Sequence, residues 1–214
     1  MVMPEPTSAA ESASIVEGRQ GVLDRVTELE QQLRKHLASP DATSLVAVAA
    51  AHNELRAMKD ASGSKEWVEC LLLVAQYFYI SGQTILGLDP AANAVAASRT
   101  LGDPPTLRKA LTFQGNLLLD TGNLPSAVET HAEALDLSIR LQDVFAEGVC
   151  WNNLGAAFLA VAQYADAGDC LAKAISMAEM EPGLNVIKTL AYTNAALAAL
   201  QSEDFGSGLR AVRA

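Results

Sequence analysis

The residue types that usually carry chemistry are dispersed in this sequence and form no catalytic or metal-binding pattern. The three histidines, His36, His52 and His131, lie far apart, and no HxxxH or HxxE spacing supplies a second ligand on the same helix face. The GxSxG, GxGxxG and GxxxxGK motifs are absent, as is any CxxC pair. We therefore expect no enzymatic activity, no metal ion and no cofactor, and we predict surface or edge positions for the histidines.

Cysteine is the other reactive residue type. Cys70, Cys150 and Cys170 are an odd number at wide spacing, which indicates a reduced, intracellular protein. Cys150 and Cys170 fall in neighbouring predicted helices and could approach each other. We favour the alternative, in which each cysteine is buried, reduced and packed as a small hydrophobic residue.

The composition indicates an all-α protein. Half of the residues are apolar and only 5% are aromatic. Alanine is abundant, and it favours helices because it loses no side-chain entropy there. The net charge of −10 argues against nucleic acid and anionic membranes as partners. The acidic surface either keeps the protein soluble or matches a basic ligand. The sequence has no export signal and no apolar run long enough to span a membrane, so we expect a soluble, cytoplasmic protein.

The chain divides into three predicted regions. Residues 1–16 are small, polar and proline-bearing, which predicts a disordered tail. Residues 17–62 form an atypical first helix pair or an N-terminal cap, with helices at about 20–38 and 43–59 and a break at 60–64. Residues 63–214 form the repeats described below.

The first predicted helix carries an apolar stripe with a spacing of three or four residues: Val22, Val26, Leu29, Leu33 and Leu37. The stripe either seals the exposed end of a helical stack or pairs with another chain as a short coiled coil. We favour sealing, because barely two heptads are present.

The second half of the chain repeats itself with a period of about 40 residues. One column of large residues holds Leu71, Leu111, Trp151 and Tyr192, and a column of small residues four positions later holds Ala75, Gly115, Gly155 and Ala196. A turn column holds Gly82, Gly122, Ala162 and Glu203, and a second small column holds Gly87, Ala127, Ala167 and Gly208. This spacing predicts pairs of helices that pack closely at the small residues and stack on one another.

The residues Trp151-x-x-Leu154-Gly155-x-x-Phe158, followed by Ala167, Leu171 and Ala174, resemble the tetratricopeptide repeat motif. The resemblance extends over about 65–214, and the 40-residue period is similar to that of kinesin light chains, Pins-type scaffolds and bacterial regulators. It implies a right-handed α-solenoid of antiparallel helix pairs. The predicted repeats are 65–103, 104–143, 144–183 and a truncated 184–214.

Some positions depart from this pattern. Pro90 should not sit inside an unbroken helix, so we expect Asp89-Pro90 to begin a helix that starts late. Lys35 stands where the first pair needs a small residue, and Glu203 replaces a turn glycine. The last repeat ends at Ala214 without a capping helix, and we therefore expect the parent protein to continue.

The resemblance also implies a ligand groove along the first helix of each pair. Carried over to this sequence, the peptide-binding residues are Leu72, Gln76, Tyr79, Thr112, Asn116, Leu119, Asp120, Asn152, Ala156, Leu159, Thr193, Leu197 and Leu200, with Asn153 and Asn194 beside them. The amides of Gln76, Asn116 and Asn152 can pair with the backbone of an extended peptide, because each donates and accepts. Alternatively, these amides bond within the solenoid and hold adjacent helices together.

Two functions remain open at this point. In the first, the chain is a protein- or peptide-binding module that serves as the sensory or scaffolding domain of a larger, bacterial regulator. In the second, it is a homo-oligomerisation domain that controls an attached output domain, such as a nucleotide cyclase or transcription regulator. A homodimer would then form through the Val22–Leu37 helix or the uncapped C-terminal face.

Overall fold

The computed structural model describes residues 9–40, 43–58 and 63–202, and these residues contain helices but no strand. The helices are α1 (Ala9–Ala38), α2 (Ser44–Ala57), α3 (Lys65–Ile80), α4 (Thr84–Leu101), α5 (Pro104–Asp120), α6 (Leu124–Arg140), α7 (Val144–Ala160), α8 (Tyr164–Met180) and α9 (Asn185–Gln201). A short 3₁₀ helix, Pro182–Leu184, precedes α9. The predicted all-α fold is confirmed. Each helix from α3 onward packs against the next, which gives a solenoid of stacked helix pairs.

The turns inside the pairs α3–α4, α5–α6 and α7–α8 share one geometry. The chain reverses over three residues, and the amide of the last one donates to a carbonyl five residues back: Gln83 to Phe78, Asn123 to Leu118 and Gln163 to Phe158, at 2.8–2.9 Å. This bond closes a Schellman motif, which requires a left-handed residue between the helices. Gly82 and Gly122 supply it without strain, whereas Ala162 adopts φ 59° despite its Cβ.

Helices within a pair approach closely where the first helix has a glycine. A Cβ on Gly155 would lie 2.7 Å from Leu171 Cγ, and a Cβ on Gly115 would lie 2.5 Å from His131 Cε1. In the first of these pairs, alanines occupy both equivalent positions, Ala75 and Ala91, and both are buried. There the space is filled from the next pair, because Leu117 of α5 packs with both alanines.

The first helix pair closes one end of the stack. Val26, Leu29 and Leu33 are at most 1% exposed and join the core that includes α3, with Val22 and Leu37 packed beside them. Two long-range hydrogen bonds reinforce the contact: Trp67 Nε1 donates to Leu55 O (3.0 Å) and Cys70 Sγ to Val26 O (3.4 Å). Val26, Leu29 and Leu33 of the stripe are therefore packed against the stack, as the sealing interpretation expects.

Lys35 is exposed on α1, and α1 packs against α3 as well as α2. The small residue that a regular pair would need at this position is therefore unnecessary. The predictions for Glu203, Gly208 and Ala214 concern residues outside the described part of the chain.

The expectation that a helix begins at Asp89-Pro90 is wrong. α4 begins at Thr84 and runs through Pro90, although the ring removes one backbone hydrogen bond at a cost of about 3 kcal/mol. Gly87, Pro90 and Ala91 are buried where α4 packs between α3 and α5, and this tertiary contact outweighs the local preference. In the segment predicted to be a disordered tail, the backbone of residues 9–16 is helical and continues into α1, as their alanines and glutamate permit.

The strained turn residue Ala162 yields a direct test. We expect Ala162→Gly to raise the free energy of unfolding by about 0.5–1 kcal/mol, because glycine relieves the left-handed strain at the cost of some unfolded-state entropy. The same substitution at Ala172, an exposed position in α8, should lower it by about 1 kcal/mol. Urea denaturation of both variants measures the difference, and two changes of equal sign would contradict the strain assignment.

Candidate functional site

The first helices of the pairs, α3, α5, α7 and α9, are called the A helices here, and α4, α6 and α8 the B helices. Consecutive A helices contact one another directly, whereas consecutive B helices barely do. The A helices are therefore closer together and form the inner layer of the curved stack. A surface that runs along this layer crosses one A helix per repeat.

The predicted groove residues occupy three repeating positions on the A helices. One position holds Leu72, Thr112, Asn152 and Thr193, a second holds Gln76, Asn116, Ala156 and Leu197, and a third holds Tyr79, Leu119, Leu159 and Leu200. The second and third positions are half-buried in α3, α5 and α7 and exposed in α9. They are therefore accessible from outside in every repeat.

The first position is less accessible in α3 and α7, where Leu72 and Asn152 are buried, than in α9, where Thr193 is exposed. Leu72 is only 1% exposed and packs in the main core, so its prediction as a ligand-lining residue is wrong. α3 is covered by α1 and α2 as well as by α4 and α5. Thr112 and Thr193 bond to backbone carbonyls of their own helices, Arg108 O and Thr189 O, at 3.0 Å each.

The amides separate into two groups. Asn194 Nδ2 donates to Asn152 Oδ1, and Asn152 Nδ2 donates to Asn153 Oδ1, at 3.3 Å each. Asn152 is also only 5% exposed. The amides of Asn152, Asn153 and Asn194 therefore join α7 to α9. For Asn152, this is the alternative in which the amide bonds within the solenoid and holds adjacent helices together. The side chains of Gln76 and Asn116 are half-buried and make no hydrogen bond to any described residue, so they are available to a ligand.

The end of the inner layer at α9 contains an open cavity of about 600 Å³. In the described part of the chain it is lined by Lys188, Thr189, Tyr192, Thr193, Ala196, Leu197 and Leu200. Of these, the groove prediction contained Thr193, Leu197 and Leu200. Tyr192 and Ala196 were assigned to the packing columns, because in the sequence they align with Trp151 and Gly155.

His131 is a further correction, because it is 1% exposed and not at the surface. It lies 40 residues before Leu171 and fills the same place against the A-helix glycine. Burial lowers the pKa of this imidazole to about 4, and its Nε2 has no hydrogen-bond partner. The 40-residue repeat could have predicted this burial, because His131 aligns with Leu171, which is an apolar core position.

The three cysteines are free and buried, as favoured above. Burial raises the pKa of Cys70 to about 12 and that of Cys170 to about 11. The pKa of Cys150 is raised for the same reason, although the Ser138 hydroxyl lies 3.3 Å from its sulfur. None of these thiols is therefore activated as a nucleophile.

Neither a metal-ion site nor a membrane span is found among the described residues. Histidine, cysteine and carboxylate side chains do not converge there in any group of three that could hold a metal ion. Among the described helices, none combines the length and apolar character needed to cross a bilayer.

The fold is TPR-like. RapI in its apo form superposes with a TM-score of 0.76 at 16% identity, over 88% of this chain and 68% of that one. A putative kinesin light chain from Podosopora anserina with TPR-like repeats gives 0.73 at 10%, over 88% and 92%. No family model and no curated protein matches the sequence.

Two further structures are similar, of which one is a complex with a factor and the other is a much longer protein. A Rap protein complexed with competence and sporulation factor gives a TM-score of 0.67 at 15% identity, and this chain spans 50% of its length. A signal transduction ATPase with a tetratricopeptide repeat sensor from Pyrococcus horikoshii gives 0.70 at 15%, and this chain spans 30% of it. The identities are low, so these likenesses show the fold.

The buried histidine makes stability depend on pH. The pKa of His131 is lower in the folded state than the usual 6.5, so the unfolded chain binds this proton more readily. The contribution of neutral His131 to the free energy of unfolding is fully present above about pH 6.5 and is lost as the pH falls toward 4. In the wild type, protonation of His131 on acidification should lower the free energy of unfolding by on the order of 3 kcal/mol. We expect His131→Leu, which copies Leu171, to abolish this part of the pH dependence.

The measurement is urea denaturation of both proteins at pH 7.5 and at pH 4.5. Because carboxylates titrate in the same window in both proteins, only the difference between the two is informative. Equal loss of stability in wild type and variant on acidification would show that His131 is not buried in the neutral form.

Proposed function

We propose that this chain binds an extended peptide or protein segment along the inner layer of its A helices. The observation that carries the proposal is the pair Gln76 and Asn116, which repeat after 40 residues and have accessible, unbonded amides. An amide at this spacing can donate to a carbonyl and accept from an N–H of an extended backbone. Half-buried Tyr79 and Leu119 beside them add apolar contact.

The similar structures support a regulatory setting. One of them is a Rap protein in complex with a factor, and another carries its tetratricopeptide repeats as the sensor of a multidomain ATPase. We therefore propose that the chain acts as the sensory or scaffolding domain of a larger cytoplasmic regulator, with a bacterial origin. The proposal assigns it binding and not catalysis.

The residue-level prediction separates a ligand-binding amide from a structural one. Peptides selected from a phage-displayed 12-residue library on the wild-type protein are measured by fluorescence polarisation against Asn116→Ala and Asn152→Ala. We expect Asn116→Ala to weaken binding about fivefold to tenfold, because it removes one hydrogen-bonding amide, and to leave thermal stability unchanged.

Asn152→Ala should do the opposite. It should lower the free energy of unfolding by about 1 kcal/mol, because it breaks the connection to Asn194, and change affinity little. If both variants bind the selected peptides as tightly as wild type does, the inner layer is not the binding surface.

A second candidate function is homo-oligomerisation through α9. The observation that favours it is a set of exposed apolar side chains on this helix: Val186 (73%), Leu190 (47%), Leu197 (45%) and Leu200 (56%). Such a face on the last described helix can pair with a second copy. The Val22–Leu37 helix offers no comparable surface, since its apolar stripe is buried.

Sedimentation velocity over a wide concentration range tests this candidate. If α9 pairs, the sedimentation coefficient should rise with concentration, and Leu200→Glu should restore the monomer because it places a charge in the contact. A monomer at every concentration would exclude self-association through this face.

A further inference from the structure

The inner layer changes character from one end to the other. At the second groove position, Gln76 and Asn116 are followed by Ala156 and then Leu197. At the third position, Tyr79 is followed by leucines at 119, 159 and 200. The surface is therefore polar over α3 and α5 and becomes apolar over α7 and α9.

At the α9 end, the exposed side chains of Leu197 and Leu200 lie in the 600 Å³ cavity. The cavity contains one charged side chain, Lys188, whose Nζ is 3.8 Å from Glu179 Oε1. The same carboxylate accepts a hydrogen bond from the Tyr192 hydroxyl at 3.3 Å. Because Lys188 is already paired with Glu179, the part of the surface at α9 best fits uncharged aliphatic side chains.

Over α5, the inner layer carries a negative charge without a partner among the described residues, in contrast to the cavity at α9. Asp120 is exposed at the last turn of α5, and within the described chain it makes no ion pair or hydrogen bond. It lies close enough to Tyr79 to help burial raise the pKa of that hydroxyl.

The cations of α5 itself are paired elsewhere, Lys109 with Glu69 and Arg108 with Asp143. The surface therefore presents an anion at this end that no described side chain neutralises.

We propose that the ligand is an extended peptide with a basic side chain over Asp120 and aliphatic side chains over Leu197 and Leu200. This inference rests on the proposed function, because it assigns the chemistry of the same groove. Contacting helices lie about 8–10 Å apart, so α5 and α9, separated by α7, are roughly 16–20 Å apart. An extended chain covers that distance in about five or six residues. The spacing between the basic and the aliphatic residues is thus part of the inference.

The probe is a fluorescein-labelled peptide with blocked ends, in which about five serine and threonine residues separate a lysine from a Leu-Leu pair. Two partner peptides replace the lysine by glutamine or the leucines by serines. On the wild-type protein, we expect the loss of lysine to weaken binding about threefold to fivefold, as for an exposed ion pair. Loss of the leucines should weaken it about tenfold through the lost burial.

Protein variants assign each effect to its residue by double-mutant cycles. Asp120→Asn should abolish the preference for lysine over glutamine and keep the preference for leucine. Leu197→Ser should do the reverse. Asp166→Asn, at an exposed position of α8, changes the net charge equally and should leave both preferences intact. Circular dichroism melting confirms that each variant is folded.

The outcomes separate the two proposals. If these peptides bind and Asn116→Ala weakens them, but neither the lysine nor the leucines matter, the inference is overturned and the proposed function stands. If the preference for leucine survives Leu197→Ser, the peptide leucines do not lie over α9, and the inference is also overturned. If neither these peptides nor library peptides bind, both proposals fail.

Discussion

The close approach of the two helices within a pair is the constraint on which the rest of the structure depends. A backbone-to-side-chain contact is possible only where one helix lacks a side chain and the other supplies a large one. Gly155 against Leu171 and Gly115 against His131 are two versions of this contact, whereas at Ala75 and Ala91 the space is filled by Leu117 of the next pair. The residue types that fill the space therefore vary between repeats.

This packing also determines which surface is left for function. It directs the large residues of the A helices toward the B helices and leaves the next residues along, such as Asn116, on the inner layer. A tyrosine and an alanine in equivalent positions of α9 line an open cavity, because no described B helix covers them. The same register position is thus core in one repeat and surface in another.

Particular residues show how far sequence reasoning reached. The helix boundaries and turns followed from local punctuation, because glycines and helix caps act within a few residues. Pro90 was misjudged, since packing of α4 between α3 and α5 overrides its local preference. Leu72 was misjudged because the first helix pair covers α3, and His131 because it was considered as a histidine and not as an occupant of the Leu171 position.

By itself, the sequence determined the helical class, the 40-residue period and the pairing of small with large residues, because each depends on contacts between neighbours along one chain. Tertiary structure alone decided which amides are free. Asn116 and Asn152 look alike in the sequence, yet only Asn152 is bonded across helices, to an asparagine 42 residues away. The orientation and burial of a side chain depend on helices far along the chain, and these contacts arise only when the layers stack.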